Sequence, residues 1–186
     1  MAADVRGLIL TGGASSRMGR DKAEIVYAQL PQWRALEELL KPLCAEVFWS
    51  CTPTQQSQWG IGDRAIVDAV AGHGPASGLH AAFTKTSHEP ITAWLVVGCD
   101  YPLLETCDLQ SLIHTRAPDA DAVVFFDKHK NEIEPMIALW EPSAQTQFLA
   151  AFARGEFSPR RILRSCKLTM IQPRDHSILS NRNTPS

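Results

Sequence analysis

Apolar positions along this chain follow two alternating rhythms. Short apolar runs that read as buried strands occur at 5–11, Glu46–Cys51, Ala65–Val67 and Ala93–Gly98. The first ends in Gly-Gly and so runs straight into a loop. Between the runs lie stretches of helical spacing. Residues 32–43 place Trp33, Leu36, Leu39, Leu40 and Leu43 on one face, and Pro31 stands where a helix can start. Residues 79–85 and 105–115 also read as helices, while the GHGPASG stretch at 72–78 reads as a loop. After residue 120 the rhythm changes. Ala122–Asp127 and 135–140 predict two strands around the polar turn 128–132, followed by helices at 143–154 and 159–164 and a late strand at 168–172.

Strands alternating with helices predict an α/β fold: a Rossmann-like three-layer sandwich with a mostly parallel, mixed central sheet. The strand pair after residue 120 departs from strict alternation and predicts one antiparallel strand. There is no internal repeat and no low-complexity linker, so residues 1–186 are expected to form one domain. Ligands of such sheets bind beyond the carboxyl ends of the strands. The loops after Thr11, Val67 and Gly98 are all candidates for that one edge.

Composition narrows the class. Apolar residues make up 45% and charged residues 20%, as in ordinary soluble globular proteins. The net charge of -2, with no basic patch or tail, argues against nucleic acid as a partner. A triphosphate would have to be held by a few local cations and backbone amides. No segment has the length of a membrane span. The apolar run at the N-terminus is too short for a signal peptide and has no basic stretch before it. The five cysteines, Cys44, Cys51, Cys99, Cys107 and Cys166, contain no CxxC pair, so neither a zinc ribbon nor a disulfide framework is suggested. Buried reduced thiols in a cytoplasmic protein are the expectation.

The loop from Leu10 to Lys22, LTGGASSRMGRDK, carries the most chemistry. Gly12 and Gly13 let the backbone turn tightly and present amide donors, and successive amides aimed one way form an anion-binding concavity. Ser15 and Ser16 add hydroxyls, and Arg17 and Lys22 add positive charge. The kinase-type pattern GxxxxGK[ST] is absent, because Lys22 is followed by Ala23, and the dinucleotide pattern GxGxxG is absent too. Asp100 directly follows the run Ala93–Gly98 and Cys99. A carboxylate there suits a divalent metal bridging phosphate oxygens, and taken alone it equally suits a turn or helix cap. Asp68 ends the preceding run in the same way. His73 and His80 have no acidic or cysteine partner at ligand spacing and read as solvated or turn histidines. The five tryptophans read as core, and no GxSxG elbow for a hydrolase is present.

These segments together resemble a known family. LTGGASSRMGRDKA resembles the LAGGxSxRMGxDKA signature of the molybdenum cofactor guanylyltransferases (molybdopterin-guanine dinucleotide synthases) of the nucleotidyltransferase superfamily. IVDAVAGHGPASGLHAA is similar to that family's Asp-then-GPLAG segment, and WLVVGCDYPLL to its strand ending in Cys-Asp-x-Pro. EIEPMIALW resembles its xxPLxALY strand, and NRNTP its closing NxNTP. The resemblance implies transfer of GMP from GTP to the molybdopterin cofactor, with release of pyrophosphate and with Mg²⁺. It implies that Leu10, Thr11, Gly12 and Gly13 contact the nucleotide and Lys22 its phosphates. Asp68 would hold the nucleoside end, and Asp100 would bind Mg²⁺ and the phosphates. Arg17, Lys22 and Asp100 would then be the catalytic set. Gly-Gly at 12–13 matches the guanylyl branch, whereas related cytidylyltransferases carry Ala-Gly there.

The chain departs from the pattern at Ser50, where the family has a nucleotide-contacting Asn, and at GPASG for GPLAG. Two alternatives therefore stay open. One is a cytidylyl- or other nucleotidylyltransferase with a different small phosphorylated acceptor. The other is a non-catalytic nucleotide- or cofactor-binding partner. Other cofactor-biosynthesis proteins and acceptor molybdoenzymes are further candidate partners. Arg160, Arg161, Asn181 and Asn183 are candidates for the pterin side.

Overall fold

A computed structural model describes residues 5–11, 22–27, 29–67, 72–85 and 92–180, with Lys22 and Tyr27 described by backbone alone. The central sheet has seven strands. In chain order they are β1 (Val5–Leu10), β4 (Glu46–Cys51), β5 (Ala65–Val67), β6 (Ala93–Gly98), β7 (Ala122–Asp127), β8 (Glu132–Trp140) and β9 (Leu168–Ile171). Across the sheet the order is β5-β4-β1-β6-β8-β7-β9. β1 pairs in parallel with β4 and β6, β4 with β5, and β7 with β9. β8 runs antiparallel to both of its neighbours, β6 and β7. The expected mixed sheet with one reversed strand is thus observed. A separate two-stranded ribbon, β2 (Val26–Tyr27) and β3 (Leu30–Pro31), is too short to show as a run in the sequence.

Helices cover both faces, as alternation requires. On one face α1 (Gln32–Leu40) and α4 (Thr106–His114) lay Leu36, Leu40, Leu109 and Leu112 on the inward side chains Val5, Ile9, Leu95, Val97, Val123 and Leu139. On the other, α3 (Pro75–Lys85), α5 (Pro142–Ala153) and α6 (Pro159–Arg164) lay Leu79, Phe83, Phe148 and Leu163 on Leu8, Leu10, Val96, Val124 and Ala138. Alternate residues of one strand therefore enter different cores, and the strands read as continuous apolar runs for that reason. Trp49, Trp94 and Trp140 are fully buried, in keeping with tryptophan as core. Cys44, Cys51 and Cys99 are buried, Cys166 is half-buried and Cys107 exposed, and all five thiols are free. Among the described residues, no helix is long and apolar enough to cross a membrane.

β8 begins at Glu132, three residues before the predicted strand, and α1 ends at Leu40, three residues before the predicted helix does; two further differences have a clear local cause. Residues 72–78 are not all loop, because α3 begins at Pro75. Proline fixes φ near the helical value and needs no amide donor in the first turn, so it suits the first helical position. The helix α2 (Pro53–Trp59) was not expected at all. It has no apolar periodicity, and its end signals make it. Thr52 and Gln55 form a reciprocal capping box, Pro53 lies in the first turn, and Gly60 closes the helix at φ +61°.

Candidate functional site

The carboxyl ends of β5, β4, β1 and β6 lie side by side. Leu10, the last residue of β1, is level with Ser50 of β4 and Gly98 of β6. The pairing continues one residue beyond the strand. Thr11 N donates to Ser50 O at 3.1 Å, and Cys99 N donates to Leu10 O at 3.2 Å. The Thr11 hydroxyl also donates to Ser50 O, at 2.6 Å. The mouth of the glycine-rich segment is thus tied on one side to Ser50 and on the other to the turn that bears Asp100.

Three of the predicted site residues are more buried than a surface binding role would suggest. Leu10 is 5% exposed, Thr11 5% and Ser50 1%. Leu10 and Ser50 face α3, and Gly78 is the reason they can. A Cβ on Gly78 would stand 2.2 Å from Ser50 Oγ and 2.8 Å from Leu10 Cδ2. Only hydrogen lets the helix approach this closely. Gly78 is a positioning feature of the site that its place in GPASG marks without revealing why.

Asp100 is half-buried in the turn after β6. The next residue, Tyr101, is buried, and its hydroxyl bonds the carboxylate of Glu134. Burial and then the Glu134 charge push the Tyr101 phenol well above the ordinary tyrosine range. Glu134 Oε1 also accepts from Met136 N at 3.0 Å. Glu134 enters an irregular stretch of β8: Val124 of β7 pairs with Ala138, while the next residue, Phe125, pairs with Glu134. Pro135 lies in that bulge, where a missing backbone donor breaks no ladder. On the far side, Arg160 Nη1 bonds Glu132 Oε2 at 2.5 Å. Sequence reasoning missed the Tyr101–Glu134 pair, since Tyr101 follows β6 and Glu134 lies on β8, far along the chain.

Lys22 opens a short 3₁₀ turn, Lys22–Glu24. Ala23 in that turn is fully buried, and Glu24 accepts from the Trp59 indole, so the backbone at Lys22 is fixed. Gly12, Gly13, Arg17 and Asp68 lie outside the described residues, as do the Lys22 side chain, Asn181 and Asn183. β5 ends at Val67, at the same edge of the sheet. The structure therefore brings Leu10, Thr11, Ser50 and Asp100 together among the described residues.

His73 lies in the turn before α3, as one of the two expectations has it, whereas His80 lies on α3, and both are half-buried against aromatic rings. His73 stacks on Phe157 with ring centroids 3.7 Å apart, and His80 stacks on Phe152 at 4.3 Å. Nothing in the local sequence shows this, because both phenylalanines come from the far end of α5 and the turn beyond it.

The arrangement has known relatives. The model of the MobA-like NTP transferase domain matches residues 7–171. A molybdenum cofactor guanylyltransferase of Pseudomonas paraeruginosa is 31% identical over 186 residues, covering 96% of this chain and 89% of the relative. A molybdenum cofactor biosynthesis bifunctional protein of Synechocystis sp. is 30% identical over 180 residues, covering 96% of this chain. The chain spans only 51% of that relative's length. Among solved structures, molybdopterin-guanine dinucleotide biosynthesis protein A from Archaeoglobus fulgidus superposes with a TM-score of 0.69 at 21% identity, covering 90% of this chain and 83% of that one. This structural likeness bears on the fold. The family match covers nearly the whole sheet and both sides of the edge just described, and the chain belongs to the MobA-like NTP transferase domain family, a nucleotidyltransferase family.

Proposed function

We propose that this protein transfers GMP from GTP to the phosphate of the molybdopterin cofactor and releases pyrophosphate. The observation that supports this most is the register at the sheet edge. Leu10 pairs with both Ser50 and Gly98, so the entry to the glycine-rich segment stands between Ser50 and the Asp100 turn. The guanylyltransferase of Pseudomonas paraeruginosa is similar to this chain over nearly its full length.

The reaction is an in-line displacement. An oxygen of the acceptor phosphate attacks the α-phosphorus of GTP, a P–O bond forms, and the bond to the pyrophosphate leaving group breaks. The acceptor oxygen is already anionic, so no general base is required. Catalysis is then positioning and charge stabilisation. Lys22 and Arg17 would neutralise charge that builds on the α-phosphoryl and leaving groups. Gly12 and Gly13 would bring backbone amides against the phosphates, and Leu10, Thr11, Ser50 and Asp68 would border the nucleoside.

Mg²⁺ suits the donor set. Among the described residues no three metal-ligating side chains cluster, so no all-protein cage exists there. Mg²⁺ needs none, since it keeps several waters and takes one or two carboxylates plus substrate phosphates. The half-buried Asp100 carboxylate meets that requirement. Bound there, the ion would supply charge neutralisation on phosphate oxygens.

The test is pyrophosphate release from the protein incubated with Mg²⁺, each nucleoside triphosphate and molybdopterin. GTP with molybdopterin should turn over, Asp100→Ala should lose orders of magnitude in rate, and Asp68→Ala should act more on binding. Unchanged turnover in Asp100→Ala would remove the metal assignment. Turnover of CTP in preference to GTP would establish the cytidylyl alternative; Ser50, where the guanylyl pattern has Asn, leans toward the non-catalytic alternative, which nucleotide binding without pyrophosphate release would establish.

A further inference from the structure

We propose that His73 is a positioning residue for nucleotide binding. It acts through a clamp of aromatic rings that seats the first turn of α3 against the strand ends bearing Thr11 and Ser50. The inference rests on the nucleotidyltransferase reading above.

Four rings interleave from two chain segments. His73 lies nearly flat on Phe157, with centroids 3.7 Å apart and planes 21° apart, and meets Phe152 edge-on at 5.6 Å and 85°. His80, on α3, stacks on Phe152 at 4.3 Å and 28°. Phe152 and Phe157 meet each other at 4.9 Å and 75°. Both stacked and edge-on geometries are favourable for such rings. Each histidine is half-buried. The rings join the start of α3 to the end of α5 and the turn after it, segments that share no backbone pairing.

The backbone of His73 is held as firmly as its ring. Its carbonyl accepts from Ala76 N at 3.3 Å, and its N–H donates to Ser77 Oγ at 3.3 Å. Ser77 N in turn donates to Gly74 O at 3.1 Å. Ser77 is buried, and its neighbour Gly78 is the residue pressed onto Ser50 and Leu10. A continuous set of contacts thus runs from Phe157 through His73 and the first turn of α3 to the strand ends at the site.

The chemistry of that turn defines what the clamp does. Pro75 has no N–H, and the amides of Ala76 and Ser77 are already used within the turn. The start of α3 therefore does not offer those donors to an anion. It acts through shape, by fixing where Ser50 and Leu10 stand. A shape effect of this kind is felt equally in ground state and transition state, so it belongs in KM and not in kcat.

The test compares His73→Ala, His73→Phe and Phe157→Ala, with GTP and Mg²⁺ as the probe. His73→Ala should raise the nucleotide KM and Kd about tenfold, the upper range for one ring pair, with kcat unchanged. His73→Phe restores a ring and should return binding to within about twofold. Phe157→Ala should weaken binding in the same direction, and the double variant should fall short of the sum of the singles, because both singles lose the His73–Phe157 stack while each keeps its own contact with Phe152. Amide exchange at Ala76, Ser77 and Gly78 should quicken in His73→Ala while the β7 and β8 amides keep their protection. Wild-type affinity in His73→Ala, or His73→Phe as weak as His73→Ala, overturns the inference and leaves the functional reading intact. A wild-type protein that binds no nucleoside triphosphate overturns both.

Discussion

Replacing Gly78 with alanine probes how closely α3 sits on the strands that bear the site. A Cβ there would meet Ser50 Oγ at 2.2 Å, Leu10 Cδ2 at 2.8 Å and Ser50 Cβ at 2.9 Å. Carbon atoms attract best at about 3.5–4.0 Å, so all three contacts are repulsive. Turning Ser50 to another rotamer relieves the first and leaves the other two, so helix or strand must move. Overpacking a filled core costs about 1–3 kcal/mol. Alanine's better helix propensity returns about 1 kcal/mol. Three contacts below 3.0 Å place the overpacking at the upper end, about 2–3 kcal/mol, so the net is a loss of about 1–2 kcal/mol, or roughly 2–8 °C in Tm for a chain of this length. Thermal and urea melts measure it. Ser50→Gly removes two of the three contacts and leaves the backbone carbonyl that Thr11 uses. The double variant should therefore recover about 1 kcal/mol relative to the sum of the singles. A Gly78→Ala protein that melts at or above the wild-type temperature, or strict additivity with Ser50→Gly, would refute the close seating of α3.

Two further outcomes follow from the same edge. Thr11→Val keeps the side-chain shape and removes the buried hydroxyl donor to Ser50 O. The carbonyl keeps its partner Thr11 N, so the loss should be about 1 kcal/mol, read as a lower urea midpoint, and an unchanged midpoint contradicts it. Tyr101→Phe should alter the alkaline limb of stability. Burial and then Glu134 raise the folded phenol above its unfolded value, so the stability it contributes is whole below about pH 10 and is lost as pH rises above that. The Cys44 thiol, pushed by burial up to about 12, acts in the same direction and is present in both proteins. Tyr101→Phe should therefore lose stability less steeply with rising pH, and an identical alkaline limb would refute the Tyr101–Glu134 account.

Most of the sheet was legible because its strands are buried on both faces. Ala93–Gly98 and Ala122–Asp127 are apolar runs with sharp ends, and they appear with the predicted bounds. α2 was illegible by periodicity, since Trp59 is its one large apolar residue. Its ends were legible all the same: Thr52, Pro53, Gln55 and Gly60 spell a start and a stop. The sheet edge was legible where a strand runs directly into a loop, as at Thr11 and Asp100. It was not legible where a contact joins distant segments. Gly78 against Ser50, Tyr101 with Glu134 and His73 on Phe157 all depend on which helix packs over which strand. The bulge before Ala138 was hidden too, although Pro135 within a strand is its usual mark.

The strand pairings differ widely in the length of chain each must close. β7 and β8 meet across a short turn, with Asp127 opposite Glu132. β1 meets β6 only after most of the first half of the chain has been threaded through, with Val5 opposite Ala93. The second loop is longer by roughly four doublings, which adds about 2.5 kcal/mol of closure entropy. The edge that carries Thr11 and Asp100 is therefore the joint that costs the chain the most freedom to close. A ligand held between those two residues acts as a tie across that joint, and its binding energy adds to the stability of the pairing that spans the longest stretch of chain.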